Sequence, residues 1–179
     1  MRRPSHPPAA GATLALVAAL LLAACSAPAP GTDATEPTRV DQTAARQAVA
    51  AVLDDWHDAA SKADAERYFG HFAADGVFLG TDPSERWTVE EFRAYAEPYF
   101  SAGRGWTYVP SRRHIALSPA GDVAWVDEQL DNEKYGELRG TAVLRREGDA
   151  WRIVLYSMTF LIPNDEAPTR GGSRSPGGP

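Results

Sequence analysis

The chain has 179 residues, 44% hydrophobic and 23% charged, with a formal net charge of −6. That length suits one independent domain with some chain left over. An acidic chain without a basic patch is a poor candidate for nucleic acid. A single cysteine cannot form an internal disulfide, so the fold must rest on its core.

Residues 1–24 read as a leader. Arg2 and Arg3 form a short basic region, and Ala12–Ala23 is apolar apart from Thr13. This run is too short to span a bilayer as a mature helix and has the layout of an export signal. It closes with Leu22-Ala23-Ala24-Cys25, which resembles the lipobox of bacterial lipoproteins. The resemblance implies cleavage before Cys25 and lipid attached to it. Each buried CH2 contributes roughly 0.8 kcal/mol of membrane affinity, so two or more acyl chains anchor stably. The mature chain would carry 16 basic and 24 acidic residues. Its expected address is the outer face of the cell membrane or, because Ser26 rather than Asp follows Cys25, the outer membrane of a two-membrane cell. An ordinary signal peptide with an incidental cysteine is the competing reading.

Residues 25–40 are rich in Pro, Ala and Thr and read as a disordered tether, and residues 166–179 as a tail of the same kind. The folded domain is then 41–165, long enough for one core. Asp41 is placed to cap a first helix, with Ala45, Val49, Val52, Leu53, Trp56 and Ala60 on one stripe. Asp64 caps a second, short helix with Ala65, Phe69 and Phe72 inward, and Gly76 is placed to end it with positive φ. Val77–Leu79 is a short strand and Gly80–Trp87 a loop. Thr88 and Glu91 make a capping box for a third helix, whose Phe92, Tyr95, Ala96, Tyr99 and Phe100 follow helical spacing. Pro98 forfeits one backbone bond there, so a kink or early end is expected near Ala94–Glu97. Trp106–Leu117 is a long strand, and Asp122–Pro163 holds three more.

Helices, a short strand, a helix and a run of four strands make an α+β pattern, a curved antiparallel sheet packed on N-terminal helices. The element order, the terminal strand with Trp151, and the segments Val77-Phe78-Leu79-Gly80-Thr81-Asp82, Glu85-Arg86-Trp87 and Asp122-Val123-Ala124-Trp125 resemble the nuclear transport factor 2-like superfamily, within it the SnoaL-like domains. The resemblance implies a cystatin-like cone whose open end holds a small apolar ligand or, in enzyme members, an active site. It also implies that dimers are common.

Alternation in the last strands puts Val123, Trp125 and Asp127 on one face, with Trp151, Ile153, Leu155, Ser157 and Thr159. If Asn132–Tyr135 and Glu147–Ala150 close the hairpins, Trp125 lies opposite Ala142, Asp127 opposite Gly140, and Ser157 beyond Gly140. The expected pocket is therefore Trp125, Asp127, Gly140, Ser157 and Thr159, with Trp106 and Tyr108 as walls. Asp127 is the candidate proton shuttle; cyclase and ketosteroid-isomerase members of the superfamily likewise place an acidic residue inside the cone. The alternative puts Asp127 at the rim, hydrogen-bonded by Ser157, Thr159 or Gln129.

The opposite face carries Val126, Thr141, Val143, Val154, Tyr156, Met158 and Phe160, with Glu128 across from Arg139. It is too apolar for water, so a second subunit is expected to cover it. The competing assignment exchanges the faces and puts Tyr156, Met158 and Phe160 in the pocket. His57 and His71 read as surface or boundary residues and His114 as a solvated strand residue; Asp82 and Arg86 are expected to pin their loop. No two histidines are spaced as ligands for one metal, and neither a phosphate loop nor a nucleophile elbow is present, so neither metal nor cofactor is expected. Three functions follow: a binding domain for a small apolar or aromatic molecule, an enzyme of cyclase, isomerase or dehydratase type using Asp127, or a dimeric interaction module.

Overall fold

The computed structural model describes residues 39–167. The leader with Cys25, the tether through residue 38 and the tail from residue 168 lie outside these described residues. The elements are α1 (Arg39–Ser61), α2 (Ala65–Gly70), β1 (Phe72–Leu79), β2 (Arg86–Thr88), α3 (Val89–Phe100), β3 (Val109–Leu117), β4 (Val123–Asn132), β5 (Gly136–Glu147) and β6 (Ala150–Phe160). The strands form one sheet in the order β2-β1-β6-β5-β4-β3. Every neighbouring pair is antiparallel except β1 and β6, which run parallel. This is the expected α+β architecture.

The helices form where the apolar spacing placed them. In α1, Val49, Leu53, Trp56 and Ala60 recur every three or four residues, and all are buried. That helix begins at Arg39, two residues before the expected cap at Asp41. Asp64 does cap α2, its side chain accepting from the Arg67 N–H at 3.1 Å. The capping box of α3 closes in both directions: Thr88 Oγ1 accepts from Glu91 N–H, and Glu91 Oε2 accepts from Thr88 N–H. Contrary to the expected kink or early end, α3 runs through Pro98 to Phe100. Pro98 lies near the helix end, so its missing N–H costs a single bond there.

Three boundaries differ from expectation. The second helix stops at Gly70, and Phe72 opens β1. Gly76 lies within β1, at an irregularity where pairing with β6 moves from Phe72↔Ile153 to Val77↔Leu155. Arg86–Thr88, read as loop and cap, adds a short edge strand, and β3 begins at Val109 rather than Trp106.

Register decides the function of the sheet. The β4–β5 hairpin closes at Asn132↔Gly136, leaving a three-residue loop rather than the expected four. Asn132 Oδ1 accepts from the N–H groups of Lys134 and Tyr135, at 3.0 and 2.9 Å. Gly136 takes φ +69°, a left-handed conformation that glycine adopts without strain and that this loop length favours. Trp125 therefore pairs with Val143, Asp127 with Thr141 and Glu128 with Gly140, each one residue from the expected partner. The β5–β6 hairpin starts in the expected register, Arg146↔Trp151. It then gains an unmatched residue, Val154, so Leu144 pairs with Ile153 but Val143 with Leu155. A bulge turns the rest of its strand over. Trp151 and Ile153 point into the core, while beyond Val154 it is Tyr156 and Met158 that do.

The helices thus cover the face of Ala124, Val126, Glu128, Leu130, Leu138, Ala142, Leu144 and Tyr156, all buried. This overturns the expectation that the face of Val126, Tyr156 and Met158 awaits a second subunit. Trp125 is 51% exposed on the outer side and Asp127 is exposed with it, so β4 takes the exchanged assignment, while Trp151 and Ile153 at the start of β6 stay inward as first expected.

Candidate ligand pocket

Two features on the inner side bear on function, a buried polar cluster and a cavity beside it. The cluster is centred on Glu128, which is 2% exposed. Its Oε1 accepts from Tyr156 Oη at 2.7 Å and lies 2.8 Å from His57 Nε2, while its Oε2 accepts from Arg113 Nε at 2.7 Å. Arg113 Nη1 continues to the Ala50 carbonyl at 3.1 Å and to Asp54 Oδ1 at 2.7 Å. Burial by itself pushes the Glu128 carboxyl up, but His57, Arg113 and Tyr156 more than offset it and hold it at about 2. Burial and the neighbouring Glu128 raise the Tyr156 hydroxyl well above its ordinary value.

Gly140, across from Glu128, makes this cluster fit. A Cβ there would fall on the Tyr156 hydroxyl and lie 2.9 Å from Tyr156 Cζ and 3.1 Å from Glu128 Cγ. The expected gap in the middle strand exists, and it is filled from within by the tyrosine. Gly140 is consequently no part of a pocket wall, and Glu128 is no exposed partner of Arg139.

The cavity opens next to the cluster, toward the Leu138↔Phe160 end of β5 and β6, and has a volume of about 260 Å³. Its floor is Phe78 from β1, Phe92 from α3, Leu138 from β5 and Met158 from β6, all buried. Its walls are Trp87, Trp106 and Tyr108, and its mouth is Tyr95, Tyr135 and Phe160, each 42–47% exposed. The floor rings stack closely, with Phe78 and Phe92 centroids 4.0 Å apart at 16°. Trp87 lies over Tyr95 at 4.6 Å and 25°, and Tyr135 meets Phe160 edge-on at 5.7 Å and 65°. The Trp106 backbone N–H donates to the Ala60 carbonyl at 3.2 Å, and its ring meets Tyr68 edge-on at 5.9 Å and 82°.

The polar part of the wall is the Gly80–Glu85 loop. Gly80 N–H donates to the Glu85 carbonyl at 2.9 Å, and Glu85 Oε2 accepts the Asp82 N–H at 3.0 Å. Asp82 Oδ1 accepts from both the N–H and the hydroxyl of Ser84, so it does pin the loop as expected; Arg86 is exposed and makes no ion pair among the described residues. A Cβ on Gly80 would collide with the Glu85 carboxylate. Glu85 thus sits against bare backbone with its carboxylate at the cavity wall.

Of the expected pocket residues, Trp106 and Tyr108 line the cavity. Trp125 and Asp127 do not: they face outward, because the three-residue loop ending at the left-handed Gly136 shifts β4 against β5 by one residue. Ser157 and Thr159 follow Val154 onto the same outer side, where they border a shallow groove with Leu79 and Arg86. Asp127 is therefore removed as an internal acid or base. Its register partner on β3 is His114, also exposed. His57, read as a boundary residue, is buried, and His71 Nε2 lies 2.7 Å from Asp55 Oδ2. Met158 and Phe160, named in the exchanged assignment, do line the cavity, whereas Tyr156 lies beneath it in the cluster. Phe78, Glu85, Trp87, Phe92, Tyr95, Tyr135 and Leu138 were not anticipated as lining. For Phe78, Trp87, Phe92 and Tyr95 the signal is the aromatic density of the Phe78–Tyr99 segment, which the strand, loop and helix reading leaves without a pocket role. Among the described residues, no three His, Cys, Asp or Glu side chains converge as metal ligands.

A family model described as SnoaL-like domain matches residues 49–163. No protein of curated function matches the chain. Among solved structures, an NTF2-like protein of unknown function from Pseudomonas putida KT2440 superimposes with a TM-score of 0.58 at 18% identity, covering 69% of this chain and 91% of its own. A cystatin-like fold protein from Burkholderia xenovorans LB400 also gives 0.58 at 18% identity, over 69% and 97%. A proposed dehydratase of the NTF2-like family from Streptomyces avermitilis gives 0.55 at 15% identity, over 68% and 99%. At these identities the likeness speaks for the fold alone, which agrees with the helices and sheet described above. The chain belongs to the SnoaL-like domain family and has the nuclear transport factor 2-like, cystatin-like fold.

Proposed function

We propose that this domain holds a small, flat, largely apolar molecule in the aromatic cavity and releases it unchanged. The observation that carries this reading is the separation of the cavity from the buried acid–base cluster. Glu128, His57, Arg113 and Tyr156 are not among the residues that line the cavity. A carboxyl held at about 2 is also too weak a base to draw a proton from carbon near neutral pH. The cavity, by contrast, has what a binding site needs: apolar rings for area and a few polar groups for orientation. A cavity between α3 and the sheet also argues against a purely structural interaction module.

The test is isothermal titration of the full chain, solubilised in detergent, with small aromatic probes, alongside product analysis by mass spectrometry. Saturable binding without conversion supports the reading. Conversion that survives Asp127→Asn but is lost on Glu85→Gln would transfer the chain to the enzyme reading, with the cavity as active site.

Two further parts of the proposal concern setting. The domain is tethered through lipid on Cys25, supported by the Leu22-Ala23-Ala24-Cys25 sequence; Cys25→Ser should abolish both labelled-palmitate incorporation and membrane fractionation. A second copy of the chain covers the outer sheet face, supported by the apolar row Ala116, Trp125, Val143, Leu155 and Val77 that the strand pairing aligns there. Trp125→Glu should leave a monomer in light scattering if that face is the contact.

A further inference from the structure

The cavity is charged in one direction only. Glu85 is its one formally charged lining residue, and neither lysine, arginine nor histidine is among the lining side chains. The other ionisable groups on its wall are the phenols of Tyr95, Tyr108 and Tyr135, which become negative if they ionise at all. Burial first raises the Tyr95 and Tyr108 hydroxyls above their ordinary values, followed for Tyr95 by Tyr99 and then Glu85, and for Tyr108 by Tyr135, Tyr95 and Glu85. Glu85 is thus felt across the cavity.

Glu85 also has capacity to spare. Its Oε2 accepts the Asp82 N–H at 3.0 Å, while Oε1 has no hydrogen-bond partner among the described residues. The ring faces around it are electron-rich, and indole is the most attractive of them to a cation. Aromatic residues at this end already hold cations: Lys134 Nζ lies 4.7 Å from the Tyr135 centroid and 2.9 Å from its hydroxyl, and the Arg104 guanidinium lies 5.4 Å from the Tyr99 ring. Lys134 is itself exposed at the rim, and Arg86 borders the groove on the outer face. Neither is among the residues that line the cavity, although the groove Arg86 borders shares Glu85 with it.

We propose that the cavity selects protonated arylalkyl amines, the ammonium donating to Glu85 Oε1 while the aromatic body lies among Phe92, Trp87 and Trp106. The inference rests on the cavity being a ligand site and adds the sign of the ligand. Carboxylates are rejected by Glu85, and neutral aromatics of equal size bind through area alone. The flat walls suit an aryl body because offset and edge-on ring contacts are their ordinary mode of packing.

Three probes of similar size and different charge test this: 2-phenylethylammonium, 2-phenylethanol and phenylacetate, each titrated calorimetrically into the full chain and into Glu85→Gln. The amine should bind at least about tenfold more tightly than the alcohol, and phenylacetate least. In Glu85→Gln, which can still accept the Asp82 N–H, the amine should fall to near the affinity of the alcohol, with the alcohol unchanged. Equal affinities across the wild-type series, or an amine preference that survives Glu85→Gln, would overturn the cation inference while leaving an aromatic binding cavity in place. Failure of all three to bind the wild-type chain would overturn the binding reading along with it. The wild-type series stands by itself should the variant fold poorly.

Discussion

Gly140→Ala probes the central packing claim directly. A methyl at this position would overlap the Tyr156 hydroxyl and stand 2.9 Å from Cζ. Tyr156 is fully buried between Trp56 and Phe78, with centroids 4.3 and 6.2 Å away, so it has little room to retreat. Overpacking of this kind costs about 1–3 kcal/mol. Displacing the hydroxyl also breaks its 2.7 Å bond to the Glu128 carboxylate, a loss of about 1.5–3 kcal/mol for a charged partner. Together the change should remove about 2.5–6 kcal/mol, a large share of the stability of a domain this size. Urea unfolding of the full chain followed by tryptophan fluorescence measures it as a lowered midpoint at constant slope. Tyr156→Phe alone should cost about 1.5–3 kcal/mol by leaving Glu128 one bond short, yet cost almost nothing in the Gly140→Ala background, where that bond is already gone. A Gly140→Ala loss below about 1 kcal/mol, or simple addition of the two effects, would show that the glycine is not there to admit the tyrosine.

Because the Glu128 carboxyl is held at about 2 in the folded chain against an ordinary 4.5, it contributes stability above pH 4.5 that is lost as pH falls toward 2. Glu128→Gln lacks this dependence, so the stability gap between wild type and variant should shrink by about 3 kcal/mol over that window in acid-titrated unfolding curves; a constant gap would refute it. Asp127→Asn, on the exposed outer face, should change stability by no more than about 0.5 kcal/mol and leave probe affinity unaltered, as calorimetry would show. Thr88→Ala removes one side of the α3 capping box and should cost about 1 kcal/mol in the same urea assay.

Helix positions were legible because burial and capping signals agreed. The Val49, Leu53, Trp56 stripe and the Thr88–Glu91 box each point one way, and both are found. The sheet was legible as a set of strands but not as a surface with an inside. Strand alternation fixes which residues share a face, not which face meets the helices. Two single-residue features then decided parity: Gly136 in the left-handed region and the extra residue Val154. Both left traces, a glycine just after Tyr135 and an unbroken apolar run Ile153-Val154-Leu155 where strict alternation fails. The Glu128 cluster was hidden for a different reason. Its members come from α1, β3, β4 and β6, and no local spacing brings His57, Arg113, Glu128 and Tyr156 together.

The Val154 bulge makes one strand serve two masters, anchoring the interior through Trp151 and Ile153 and furnishing the ligand chamber through Met158 and Phe160. Descendants of this chain can therefore swap one ring for another along the chamber and retune what it accepts. They have no such latitude in length: losing a residue at the bulge would evert the chamber's half of the strand, so the lineage is free to vary its vocabulary but not its metre.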